Sequence, residues 1–225
     1  MREFLTDHCP VIIAVITVLE AIVTALLFVR YIKKRQTIAL LMAVVGVGLL
    51  FDALVMALGS FMPNDLLRIL SRIRFVSHGL LVPLNIAICG YAMKWVDIKM
   101  TIVWIITAAV CILGCASGFA RVLELRDFAG IVRYVAGDST PVWADKINRL
   151  LSFGTVLPVI AAGIYVWIKE KTPTFFLAGA LMFVFAALGP ATGNSDLIFL
   201  ISMFGELLMI FFFLLYSKKE NEYGY

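Results

Sequence analysis

Apolar runs of about 20 residues recur along this chain with short polar connections between them, and no other feature limits its fold as strongly. About 20 apolar residues in a helix cover a hydrocarbon core of roughly 30 Å. Inside such a core the backbone must satisfy its own hydrogen bonds. The runs are Pro10–Tyr31, Thr37–Phe61, Arg74–Val96, Lys99–Phe119, Arg149–Ile168, Thr174–Leu188 and Asp196–Tyr216. They predict an all-α integral membrane protein, a seven-transmembrane-helix bundle forming a single domain over residues 1–225. Composition agrees: 62% of residues are hydrophobic and 15% charged, whereas soluble domains lie near ~45–50% apolar and ~25% charged. The chain shows no 20–50-residue repeat, no low-complexity tract and no Pro/Gly/Ser-rich linker.

Charge sets the orientation. Glu3 and Asp7 oppose Arg2 before the first run, while Arg30, Lys33, Lys34 and Arg35 follow it, and no small-residue cleavage site marks a signal peptide. By the positive-inside rule this places the amino terminus outside and the carboxyl terminus in the cytoplasm. The expected location is a prokaryotic cytoplasmic membrane, crossed several times, with membrane lipids as neighbours. The net charge of +4 carries no nucleic-acid signal, since the basic residues cluster at run ends. Cys89, Cys111 and Cys115 fall inside apolar runs and read as buried free thiols rather than a disulfide framework.

Two connections stand out. Between the fourth and fifth runs, VLELRD and GIVRYV alternate around Phe128-Ala129-Gly130, which predicts a small outer lid built as a β-hairpin. An amphipathic surface helix is the alternative, with Asp145–Leu151 also able to start the next span. After the sixth run, Gly189-Pro190-Ala191-Thr192-Gly193-Asn194 predicts a break in regular helix.

The stretch Ser71–Tyr91, SRIRFVSHGLLVPLNIAICGY, places polar groups where lipid-soluble helix is expected. Ionisable residues within a membrane span are costly and mark functional sites by default. Ser71, Arg74, His78 and Asn85 share one helical face. Arg72 cannot lie on that face, being two residues from Arg74, so Arg74 is the inward candidate. In the second run Gly48, Asp52 and Gly59 share a face, a small-residue seam for close helix packing that holds Asp52 against a neighbour. At about 1.5 Å per residue, Glu20 and Glu206 reach mid-membrane and Asp52 lies somewhat above them. Arginines also gather on the predicted outer side: Arg68, Arg72, Arg74, Arg121, Arg126, Arg133 and Arg149, with Lys146 as the lone lysine. Arginine suits bidentate carboxylate or phosphate pairing better than lysine does. The plainer reading has Glu124, Asp127, Asp138 and Asp145 neutralising several of them.

Several chemistries are excluded. Retinal attachment requires a lysine in the bundle, and the seventh run carries Glu206 and no lysine, so no retinal cofactor is expected. A three-histidine zinc site cannot form from His8 and His78, and no metal is expected. No G-x-S-x-G nucleophile elbow is present. Two functions lead, with a signalling or scaffold role as a third. One is binding or transport of a small anionic or amphipathic ligand through an outward-facing polar pocket. Arg72, Arg74, His78, Asn85 and Asn194 would bind it, and Glu20, Asp52 and Glu206 would couple protons or a cation. The other is an intramembrane enzyme acting on a lipid or isoprenoid head group, with His78 and Asp52 as its acid–base pair.

Overall fold

The computed structural model describes residues 2–193 and 197–219. A short helix α1 (Arg2–Asp7) leads into α2 (Cys9–Lys34), followed by α3 (Thr37–Leu58) and a 3-10 turn at Gly59–Phe61. Next come α4 (Asn64–Leu81), α5 (Leu84–Ala92) and α6 (Asp97–Ala120). Strands β1 (Leu123–Phe128) and β2 (Ile131–Ala136) precede α7 (Val142–Gly154), α8 (Val156–Glu170), α9 (Thr174–Ala191) and α10 (Ile198–Lys219). Among the described residues, six helical stretches are long and apolar enough to cross a membrane: Cys9–Lys34, Thr37–Phe61, Asn64–Ala92, Asp97–Ala120, Val142–Glu170 and Ile198–Lys218. The protein is therefore a multi-pass membrane protein. The apolar part of α9, Thr174–Gly189, is shorter.

Several boundaries differ from the sequence reading. Residues 63–70, expected as a connection, are helical from Asn64, because α4 is amphipathic there and buries Leu67 against the bundle. The fifth span begins at Val142 rather than Arg149, since α7 continues into α8 through a slight break at Thr155. Helix α9 runs through Gly189 and Pro190 to Ala191 before turning at Thr192 and Gly193. A proline in a last turn costs one backbone bond, which a helix end tolerates. The third span, by contrast, is broken at Val82–Pro83. Pro83 has no N–H to give to the turn below, and the chain re-enters helix through tighter bonds, Asn85 N–H to Val82 O and Ile86 N–H to Pro83 O.

Consecutive helices pack side by side, and α10 returns to α2, closing a ring that also brings α3 against α10 and α5 against α8. Small residues set the closest approaches. A Cβ added at Gly79 would lie 2.4 Å from the backbone of Gly114, so α4 and α6 meet backbone to backbone. Cys111 and Cys115 flank this seam, free, and their thiols donate to Leu80 O and Val76 O of α4. On the predicted Gly48–Asp52–Gly59 seam, Gly48 meets Leu81 of α4 and Gly59 meets the Val132 carbonyl of β2, while Gly46, off that face, meets Thr24 of α2.

The hairpin closes one end of the ring. Register pairs Phe128 with Ile131, leaving the two-residue turn Ala129-Gly130. Both turn residues have positive φ, 52° and 78°, which matches the twist of the flanking strands. Buried Ile131 packs with Ile13, Ile16, Met56 and Leu200, and Ser60 Oγ donates to Gly130 O and accepts from Val132 N–H. At the other end Arg30 donates to the Ser217 and Lys218 carbonyls, capping α10 from α2.

Candidate functional site

Beneath the hairpin the ring encloses a cavity of about 790 Å³, within the size range of small-molecule sites. Its walls come from α3 to α10, α6 and α8 through Ser117 and Val156 alone, with the hairpin as roof. Helix α3 supplies Asp52, α4 supplies Arg74 and His78, α5 supplies Asn85, and α10 supplies Glu206. These residues are far apart in sequence, so closure of the ring is what assembles them.

Arg74 is the organising side chain. It is buried, and its Nε lies 3.1 Å from Asp52 Oδ1, close but not aligned as a hydrogen bond. Nη2 donates to the Tyr134 carbonyl of β2 at 3.1 Å. The guanidinium carbon lies 4.5 Å from the centre of the Phe75 ring. Nη1 is buried with no hydrogen-bond partner among the described residues. One guanidinium thus ties α3, α4 and the hairpin together and keeps a donor in reserve.

His78 Nδ1 approaches the other Asp52 oxygen to 4.0 Å, and its side chain is 36% exposed, so the imidazole is reachable from the cavity. Asn85 is fully buried at the cavity floor. Its amide donates a weak 3.8 Å bond to Met209 Sδ, while Oδ1 has no hydrogen-bond partner among the described residues. The helix break at Pro83 does not remove Asn85 from the face of Arg74 and His78, since all three line the same cavity. Ser71 is buried above them but forms no part of the wall.

Glu206 reaches the cavity from α10 and is within electrostatic range of Asp52, Glu20 and Arg74. Glu20 sits behind the wall, fully buried on the Thr17–Glu20–Thr24 face of α2, and neither carboxyl oxygen has a hydrogen-bond partner among the described residues. The three acids therefore cluster, although only two of them face the cavity. Among the described residues no group of three or more His, Cys, Asp or Glu is placed to hold a metal ion.

One predicted ligand contact, Arg72, is not on the wall. Arg72 turns toward the carboxyl end of α6, where Nη1 donates to the carbonyls of Gly118, Phe119 and Arg121. A helix end leaves its last carbonyls without intrahelical donors, and a nearby arginine satisfies them. Arg72 is thereby a cap, which corrects its expected place in the pocket. Asn194 lies outside the described residues.

Four arginines beyond α6 do line the cavity: Arg121 after that helix, Arg126 and Arg133 on the hairpin and Arg149 on α7. Arg121 lies 4.4 Å from the Phe75 ring centre, on the same ring as Arg74, and Arg133 lies 3.6 Å from that of Phe199. Burial, with Arg74 close by, pulls the Arg121 guanidinium down to about 10. Arg149 pairs with Asp145 at 2.8 Å, one turn earlier on α7, so the plainer neutralisation reading holds for that residue. The preference for arginine over lysine was the sequence signal for this group. It could not say which arginines the hairpin and α7 would turn inward.

No protein-family model matches this chain, and no curated protein matches it.

Proposed function

We propose that this protein binds, and moves across or out of the membrane, a small anionic or amphipathic ligand held in the cavity under the hairpin. The reading includes seven spans, with α9 as the sixth, and an outward-facing hairpin end. Lys33, Lys34, Lys94, Lys169, Lys171 and Lys218 lie at the opposite helix ends, which supports a cytoplasmic location for that side. The observation that carries the reading is Arg74. A buried guanidinium with a donor unpaired among the described residues, on a cavity wall shared with other arginines, suits an incoming anion. An arriving anion would compete with Asp52 for Arg74. Asp52, released, would then turn to His78 or to a proton, with Glu206 and Glu20 beneath it as further proton acceptors. That order of events would couple ligand and proton.

Thermal stability of the purified full chain in detergent tests this reading. Inorganic phosphate should raise the melting temperature of the wild type and leave Arg74→Gln unmoved. A panel of small anions that shifts neither protein would overturn it.

A second reading is favoured by the approach of His78 to Asp52. It is an intramembrane enzyme acting on a lipid or isoprenoid head group, with this pair as acid and base. Lipid extracts distinguish the two: a product lost in His78→Ala supports the enzyme, and unchanged lipids with altered uptake support transport.

A further inference from the structure

We infer that Arg121 is the second arginine of the ligand site, that the Phe75 ring and Arg72 hold it beside Arg74, and that the pair takes the carboxylate of an amphipathic organic acid. The inference rests on the ligand-binding reading above and names its ligand class.

The site is built where α6 ends on α4. A Cβ added at Gly118 would lie 2.7 Å from the Phe75 carbonyl oxygen, so a glycine there lets the last turn of α6 lie directly on the α4 backbone. That approach brings Arg121, just past the helix end, over the Phe75 side chain. Arg72 fixes the backbone at this point, since its Nη1 donates to the Arg121 carbonyl as well as to those of Gly118 and Phe119. Arg72 is off the wall, yet it positions a residue that is on it.

The ring holds the side chains. The guanidinium carbons of Arg74 and Arg121 lie 4.5 and 4.4 Å from the centre of the Phe75 ring, and all three residues line the cavity. A cation over an aromatic face is attracted by the ring quadrupole. Two cations on one ring also repel each other, and an anion reaching both removes that repulsion. Each has a donor to offer. Among the described residues, Arg74 Nη1 is buried with no hydrogen-bond partner and Arg121 has no carboxylate within ion-pair distance.

Charge selects the anion. Asp52 already sits against Arg74, and Asp145 against Arg149, so both act on Arg121 only at longer range. Arg126 and Arg133 have partners of their own and do not enter this count. The Arg74–Arg121 pair is therefore short of one negative charge, which a monoanion supplies. A carboxylate presents two oxygens in a plane. These match the Arg121 fork, and one of them can also accept from Arg74 Nη1.

The rest of the wall describes the rest of the ligand. Leu49, Val82, Met182, Met203 and Met209 also line the cavity, whose 790 Å³ far exceeds what a carboxylate alone occupies. Such a wall disfavours a second charged group, and methionine side chains adapt to an apolar body of irregular shape.

The test uses the full chain in phosphatidylcholine nanodiscs at pH 7, titrated calorimetrically with octanoate, acetate and inorganic phosphate, with empty nanodiscs as the blank. Octanoate should bind more tightly than acetate or phosphate by about tenfold or more. Arg121→Gln should weaken octanoate by about tenfold, the equivalent of one charge-assisted hydrogen bond. Arg121→Lys, which keeps the charge and loses the fork, should weaken it less, and it repeats the test should the first variant not fold. Phe75→Leu should weaken octanoate by roughly two- to fivefold, while Phe75→Tyr keeps the ring and should bind as the wild type does. Octanoate binding that is unchanged in Arg121→Gln and lost in Arg74→Gln would remove Arg121 from the site and leave the ligand-binding reading standing. Wild-type affinity in Phe75→Leu would overturn the role of the ring. Acetate or phosphate binding as tightly as octanoate would overturn the amphipathic carboxylate. No binding of any anion would bring down the ligand-binding reading itself.

Discussion

Arg74 Nε and Asp52 Oδ1 lie 3.1 Å apart across the contact of α4 with α3, both largely shielded from solvent, and the same guanidinium reaches up to the Tyr134 carbonyl of the hairpin. Removing one partner of a buried pair strands the other charge, at about 3–5 kcal/mol. Arg74→Ala is therefore expected to be strongly destabilising. Arg74→Lys keeps the charge beside Asp52 but loses the fork that also serves Tyr134, and should cost less, about 1–2 kcal/mol. Arg74→Gln combined with Asp52→Asn should recover much of the single-variant loss. Thermal unfolding of the four proteins in one detergent completes the cycle, and strict additivity would dissolve the pair.

The Gly79–Gly114 contact predicts a second stability effect. An alanine at either position drives Cβ into the opposing backbone, 2.4 Å away from Gly79 and 2.1 Å from Gly114. Backbone cannot swing aside as a side chain can, so α4 and α6 must separate. Gly79→Ala is expected to destabilise by about 1–3 kcal/mol, the usual cost of overpacking. Gly154→Ala, which meets open space, serves as the control and should be near neutral. Similar melting temperatures for the two variants would contradict the backbone contact.

Arg121 predicts a pH dependence. It follows the end of α6, and burial together with Arg74 brings its folded-state value down to about 10 from an ordinary 12.5. The folded state therefore holds this proton less tightly than the unfolded state does. Its contribution opposes folding in full below about pH 10 and fades as pH rises from there toward 12.5. At neutral pH Arg121→Gln should melt higher than wild type, with the advantage constant from about pH 6 to 9 and shrinking above 10. The same variant should bind phosphate more weakly. A lower melting temperature at pH 7 would mean that the stack on Phe75 outweighs the burial of charge.

Orientation is open to a direct check. A cysteine at Lys34, on a cysteine-free background, should react in intact cells with a permeant maleimide and resist an impermeant one. A cysteine at Asp138, beyond the hairpin, should react with both. The reverse pattern would turn the cavity toward the cytoplasm.

Much of the architecture was legible in the sequence because it depends on local composition. A long apolar run must be a membrane helix whatever surrounds it, and the alternation around Ala129-Gly130 reads as a hairpin from its own residues. The polar face of Ser71, Arg74, His78 and Asn85 follows from helical periodicity, and it survives the break at Pro83 because the re-entry bonds keep the winding nearly in phase. The helix starts at Asn64 and Val142 were less visible, since amphipathic surface turns carry too little hydropathy to extend an apolar run.

What tertiary structure alone decided is the fate of each charge. Arg72 and Arg74 are near neighbours with the same chemistry, yet one caps α6 and the other anchors Asp52. That division depends on where the end of α6 and the flank of α3 lie in space. Arg126 and Arg133 reach the cavity only because the hairpin folds back over the ring, while Glu20, at the same predicted depth as Glu206, is left behind the wall by the packing of α2. Hydropathy and periodicity are properties of a segment and can be read along it. Ion pairing and cavity access depend on distances between segments far apart in the chain, which exist only once the ring of helices has closed.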